Sequence, residues 1–69
     1  MVESVFNVKL KELRESKGLS VADLATRLGF KERDIIDFES AKKEPRLRDV
    51  IQFADFFEVT LEYIIKGKS

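Results

Sequence analysis

Cysteine, histidine and tryptophan are all missing from this chain of 69 residues, and proline occurs once. Without thiols no disulfide can staple the fold, and without thiol or imidazole a zinc site has none of its usual ligands. No metal or other cofactor is therefore expected. The same absences remove the common catalytic nucleophile and base: Ser4, Ser16, Ser20, Ser40 and Ser69 have no evident base, and no glycine-rich phosphate loop occurs. Asp34 and Asp37 share a helix face, but a lone carboxylate pair on a small helical domain is ordinarily surface, so no enzyme is expected. No apolar run approaches the roughly 18 residues of a membrane span. The opening MVESVFNVK lacks the charged-then-apolar layout of a secretory signal, and a cytoplasmic location is the expectation.

Net charge is missing too, with 13 basic against 13 acidic residues. A protein that grips a polyanion by bulk electrostatics is thereby disfavoured. The distribution is uneven, however. Arg27 to Arg48 holds seven basic residues against five acidic, whereas Asp49 to Ile65 holds four acidic (Asp49, Asp55, Glu58, Glu62) and none basic.

What the chain does have is helical periodicity, with 43% apolar residues to support it. No strand-like alternation, internal repeat, linker or low-complexity tract appears. The expectation is one all-α domain of five helices over residues 1–69, near the smallest size a single core sustains. The most organised stretch is VADLATRLGFKERDIIDFES, Val21 to Ser40. Leu24 and Leu28 lie four apart, Ile35 and Phe38 three apart, so two short helices each turn a stripe into one core. Ala25 suits a close helix crossing, Gly29 supplies the positive φ of a helix C-terminus, and Phe30 plugs the elbow.

The flanks follow the same logic. Phe6, Leu10 and Leu13 repeat at i, i+4, i+7 on a first helix that opens at Val5 or Phe6 and ends at Gly18. Ser20 is a good N-cap, with Asp23 in the reciprocal position and Leu19 able to staple on Leu24. The third helix, about Lys31 to Glu39, starts poorly, because Lys31 stands where Ser or Thr would cap, a loss of about 1 kcal/mol. Ser40 to Arg46 reads as a loop, extended before Pro45. A fourth helix, about Leu47 to Phe57, is expected to bury Leu47, Val50, Ile51, Ala54 and Phe57, with Phe56 on the opposite side. A fifth, Leu61 to Lys66, has Thr60 as cap and Gly67 as stop.

The stretch from Val21 to Ser40 resembles the helix-turn-helix of the lambda-repressor-like, Cro-type (XRE) family of transcriptional regulators. The likeness extends from about Leu10 to Gly67, through LKELRESKGLS and EPRLRDVIQFADFFEVTLEYIIKG. It implies a five-helix DNA-binding domain whose third helix enters the major groove of double-stranded DNA. By that resemblance Glu32, Arg33, Ile36 and Asp37 form the base-reading edge. Their chemistry suits the role: Arg33 for a guanine, a carboxylate for a cytosine amino group, Ile36 for a thymine methyl.

Phosphate contacts are expected from Ser20, Lys31, Lys42, Lys43, Arg46 and Arg48, which flank that helix and would set its register. Arg14 and Glu39 match a pair that forms a partly buried salt bridge in the family, with a spare Arg14 N–H for phosphate as a secondary role. Regulators of this kind generally dimerise so that two reading helices meet half-sites of a palindromic operator roughly 34 Å apart. Phe56, Tyr63 and Ile65, with Phe53, suggest surplus apolar surface for such a homodimer interface. No small-molecule substrate and no membrane partner is implied.

Three positions depart from the family pattern. Val21 stands where a Gln usually binds phosphate, Lys31 replaces a Ser or Thr, and Ala41 replaces a Gly. Together with the zero net charge and the acids on the third helix, Val21 favours a second expectation, a helix-turn-helix scaffold reused as a protein-interaction module.

Overall fold

The computed structural model describes residues 4–68. The residues 1–3 that entered the reading of the N-terminus, and Ser69, lie outside them. The elements are α1 (Phe6–Ser16), α2 (Val21–Leu28), α3 (Glu32–Glu39), α4 (Leu47–Phe57) and α5 (Leu61–Lys66), with no strand among the described residues.

Each start is set by an acceptor for amides that have no partner inside the helix. Ser20 Oγ accepts the Asp23 N–H at 3.0 Å and Asp23 Oδ2 accepts the Ser20 N–H at 3.1 Å, completing the expected reciprocal cap. Thr60 Oγ1 accepts the Tyr63 N–H at 3.0 Å. At α3 and α4 the N-caps are Lys31 and Arg46, which have no acceptor to offer. There the third helical residue acts alone: Asp34 Oδ2 accepts from Lys31 N–H at 3.2 Å, and Asp49 Oδ2 from Arg46 N–H at 3.0 Å. Half a capping box thus replaces the missing Ser or Thr.

The turn between α2 and α3 depends on Gly29, whose φ of +77° closes α2 in the left-handed region. The Phe30 N–H then reaches back to the Ala25 carbonyl at 2.9 Å. Phe30 lies on Phe53, rings 9° from parallel with centroids 5.1 Å apart, and edge-on to Phe38 at 5.8 Å. Phe38 and Phe53 meet edge to face at 5.8 Å and Phe6 packs on both. Around these rings Leu10, Leu24, Ala25, Ile35, Val50, Ala54, Phe57 and Ile64 complete the core. Leu13 is only half-buried.

The inward face of α4 is not the one expected. Val50, Phe53, Ala54 and Phe57 are buried, again at i, i+3, i+4, i+7, while Leu47 is 67% exposed and Ile51 40%. Phe53, read from the pattern as surplus surface, is fully buried. The core accommodates one large side chain from this turn of α4. Phe53 fills more space than Ile51 and finds three other phenylalanine rings, so the helix rotates toward it. Phe56, expected opposite the buried stripe, is half-buried and meets Phe57 edge-on at 5.0 Å. Gln52 then projects to α2, where its Nε2 donates to the Leu28 carbonyl at 2.8 Å.

Among the described residues, Ala41 and Glu58 are the non-glycine residues with positive φ, at 63° and 58°. At Ala41 the conformation costs about 1–2 kcal/mol, against roughly 0.4–1 kcal/mol that a glycine would lose through extra freedom of the unfolded chain. The strain is at least as large as that loss, so Ala41→Gly is expected to stabilise the domain by up to about 1.6 kcal/mol. A urea midpoint unchanged or lowered in this variant would contradict the strain.

Candidate nucleic-acid interface

The outer face of α3 carries the candidate reading residues. Ile35 and Phe38 are buried, so Glu32, Arg33 and Ile36 must turn away from the core, and all three are exposed. Ile36, at 46% exposure, is an isoleucine left bare among charges. Asp37, expected to point fully outward, is half-buried: its side chain is 23% exposed and its Oδ1 is buried with no hydrogen-bond partner. The nearby cation is Arg33, one turn earlier, whose Nε lies 3.4 Å from that oxygen.

Immediately after α3 the loop is tied to the helix that precedes it. The Asp37 carbonyl accepts both the Lys42 N–H at 2.9 Å and the Lys43 N–H at 3.2 Å. Lys43 folds back further: its Nζ is 3.0 Å from Asp34 Oδ1 and sits over the Phe38 ring at 5.4 Å. A cleft of about 300 Å³ between α3 and the start of α4 is lined by Lys43, Arg46 and Arg48, with Asp34, Glu44 and Asp49 beside them. Three of the expected phosphate residues therefore converge on one cleft. Lys42 is exposed outside it, and Ser20 and Lys31 are exposed at the N-terminal ends of α2 and α3.

The acids here hold the bases in place rather than simply opposing them. Asp34 has its pKa lowered, first by the Lys43 ammonium and then by the Lys31 amide, and Asp23 is lowered by the Ser20 amide and hydroxyl. Both carboxyls are more acidic folded than unfolded, so below their ordinary value of 3.8 the unfolded chain binds more protons. Their stabilisation is present above that value and is lost as pH falls through the lower, folded-state pKa. The melting temperature is expected to drop on acidification below about pH 4, and less steeply in Asp23→Ala. Parallel acid profiles of the two proteins would refute this linkage.

Arg14 and Glu39 anchor α1 to the end of α3. Arg14 Nε and Nη2 donate to the two Glu39 oxygens at 2.7 and 3.1 Å, and Nη1 donates to the Leu19 carbonyl at 2.8 Å. Each side chain is 11% exposed. These bonds use three of the five Arg14 N–H groups, leaving one on each Nη outside them. The candidate dimer residues are also partly committed: Tyr63 lies under the Lys9 ammonium at 4.9 Å, while Phe56 and Ile65 pack against the core. The exposed large apolar residues of α4 and α5 are Leu47, Ile51 and Leu61, which the helical pattern did not single out as surface. The contacts of Gln52 with Leu28 and of Asp49 with Arg46 were not among the expectations from the sequence. Only Asp49 carries a sequence signal, three residues after Arg46.

Comparison with known families decides what this arrangement is. The family described as helix-turn-helix matches residues 10–64, which includes α2, α3 and both flanks. The chain belongs to the Cro-type (XRE) helix-turn-helix family. Among similar proteins, an uncharacterized HTH-type transcriptional regulator of Methanocaldococcus jannaschii is 39% identical over 56 residues, covering 81% of this chain and 85% of that protein. The HTH-type transcriptional activator BcrR of Enterococcus faecalis is 33% identical over 63 residues, covering 91% of this chain. The uncharacterized HTH-type transcriptional regulator YqaE of Bacillus subtilis is 29% identical over 65 residues, covering 94%.

This helix-turn-helix chain spans 56% of the length of YqaE and 31% of that of BcrR. In three dimensions it is similar to a transcriptional regulator from Listeria innocua, with a TM-score of 0.86 over 99% of this chain and 63% of the other. At 20% identity that likeness concerns the fold. No helix of the described residues is long and apolar enough to cross a membrane.

Proposed function

We propose that this helix-turn-helix domain is a sequence-specific DNA-binding transcriptional regulator that lays α3 in the major groove and acts as a repressor by occupying its operator. The observation that carries the reading is the outer face of α3. A helix fixed from behind by Ile35 and Phe38 presents Arg33 and an exposed Ile36 beside a cleft that Lys43, Arg46 and Arg48 line together with Asp34, Glu44 and Asp49. In this docking Glu32, Arg33, Ile36 and Asp37 form the edge that meets base pairs. Ser20, Lys31, Lys42, Lys43, Arg46 and Arg48 serve the phosphates on either side. Such a role places the protein in the cytoplasm, with the DNA.

The protein acts as a homodimer on a palindromic operator. A single α3 offers too few base contacts for operator-level discrimination, and a two-fold pair doubles them. The second copy is met through α4 and α5, which carry exposed Leu47, Ile51 and Leu61 and the half-buried Phe56, Tyr63 and Ile65. Selection of bound sequences from a pool of random duplexes is expected to yield a palindrome with half-sites one helical turn, roughly 34 Å, apart. A pool that emerges unenriched would end the regulator reading. A single, non-repeated half-site would end the dimer.

A further inference from the structure

We infer, building on that docking of α3, that Asp37 does not read a base of its own: it positions Arg33, so that the Arg33 fork selects a guanine. The geometry begins with spacing. Residues 33 and 37 are one helical turn apart and share the outer face of α3, where an acid and a base attract. The contact runs from Arg33 Nε to Asp37 Oδ1 at 3.4 Å. Made at that nitrogen, it leaves Nη1 and Nη2 outside the contact, and those two nitrogens are a pair of donors that can match O6 and N7 of guanine.

Burial sorts the roles of the two side chains. Arg33 is 72% exposed and Asp37 only 23%. Asp37 Oδ1 is withdrawn from solvent and takes no hydrogen bond from any described residue. An oxygen so withdrawn is badly placed to accept from a cytosine amino group, and well placed to attract the guanidinium whose Nε lies 3.4 Å away. A free arginine samples many rotamers and must surrender that freedom on binding; an arginine already held at Nε surrenders less. Charge acts in the same sense. The carboxylate keeps the Arg33 cation from being spent on the nearest phosphate, so its interaction is reserved for the base edge.

The arrangement also accounts for acids on a helix that approaches a polyanion. Asp34 caps α3 and holds Lys43, and Asp37 holds Arg33, so each is engaged by a cation of the same surface. Glu32 is the acid of the edge outside these pairs.

The test compares wild type, Arg33→Ala, Asp37→Ala, Asp37→Glu and the Arg33→Ala/Asp37→Ala double variant on the selected operator and on duplexes substituted at each base pair in turn. Circular dichroism melting verifies that each variant is folded. Arg33→Ala is expected to abolish preference at one G·C pair. Asp37→Ala is expected to weaken preference at that same pair by about tenfold, while binding to mismatched duplex tightens because an acid leaves the face that meets the polyanion. The double variant should lose no more discrimination there than Arg33→Ala alone, and Asp37→Glu, which keeps a carboxylate within reach of Nε, should restore most of it. Asp37→Ala relaxing a different base pair, or adding its loss in full to that of Arg33→Ala, would overturn the positioning role and leave the docking intact. Wild type binding no duplex at all would overturn the docking, and this role with it.

Discussion

Glu39→Ala is expected to lower the unfolding free energy by about 3 kcal/mol, the loss incurred when a buried ion pair is broken from one side. Glu39 accepts two of the three hydrogen bonds that Arg14 makes, in a site where each side chain is 11% exposed. Removing the carboxylate leaves a guanidinium that can neither shed its charge nor reach water without leaving α1's contact with α3. An exposed pair would be worth under about 1 kcal/mol, so the measured loss also reports how dry the site is.

For a domain of 69 residues, 3 kcal/mol is a large share of a total of roughly 3–10 kcal/mol. The melting temperature should fall by roughly 10–20 °C. Replacing both partners, Arg14→Met with Glu39→Met, should recover much of the loss, because no charge is then left stranded. A Glu39→Ala variant melting within a few degrees of wild type would show that water reaches Arg14.

Lys43→Glu combined with Arg46→Glu is expected to weaken binding on every duplex, operator and random alike. Both residues line the cleft between α3 and the start of α4. If each neutralises one phosphate, the slope of log affinity against log salt should become shallower by about 2. The new carboxylates add repulsion, so the loss exceeds that of two alanines. The fold should survive: the Lys43–Asp34 pair is largely exposed, with side chains 51% and 26% accessible, and exposed pairs contribute about 0–1 kcal/mol. The signature is uniformity across sequences, in contrast to Arg33→Ala, whose effect falls on one base pair. Unchanged affinity and salt slope would remove the cleft from the interface.

Helix boundaries and the meeting of distant side chains differ in how far the sequence reveals them. The five helices and their bounds were legible in the sequence, because what starts and stops a helix lies within a turn of its end. Ser20 with Asp23, Thr60, and Gly29 at φ +77° are such devices, and each acts at the position the sequence indicated. The match to the family pattern was legible for the same reason, since seven residues in register across a turn describe a local shape. The Arg14–Glu39 pair is the long-range exception. Its partners stand 25 residues apart, and only the family likeness connected them before the fold did.

The sequence by itself thus determined an all-α chain with a helix-turn-helix at its centre and Arg33 and Ile36 on the outer face of α3. The tertiary structure decided which face of α4 turns inward, because Phe53 and Ile51 compete for one volume and the winner depends on rings contributed by Phe6, Phe30 and Phe38. It decided that Gln52 closes the end of α2, that Lys43, Arg46 and Arg48 share a cleft, and that an oxygen of Asp37 is buried with Arg33 Nε 3.4 Å away. Caps and periodicity are local energies that neighbours in sequence can settle. Packing angles and the meeting of side chains across a core are sums over residues far apart in the chain, fixed only when all the helices are in place.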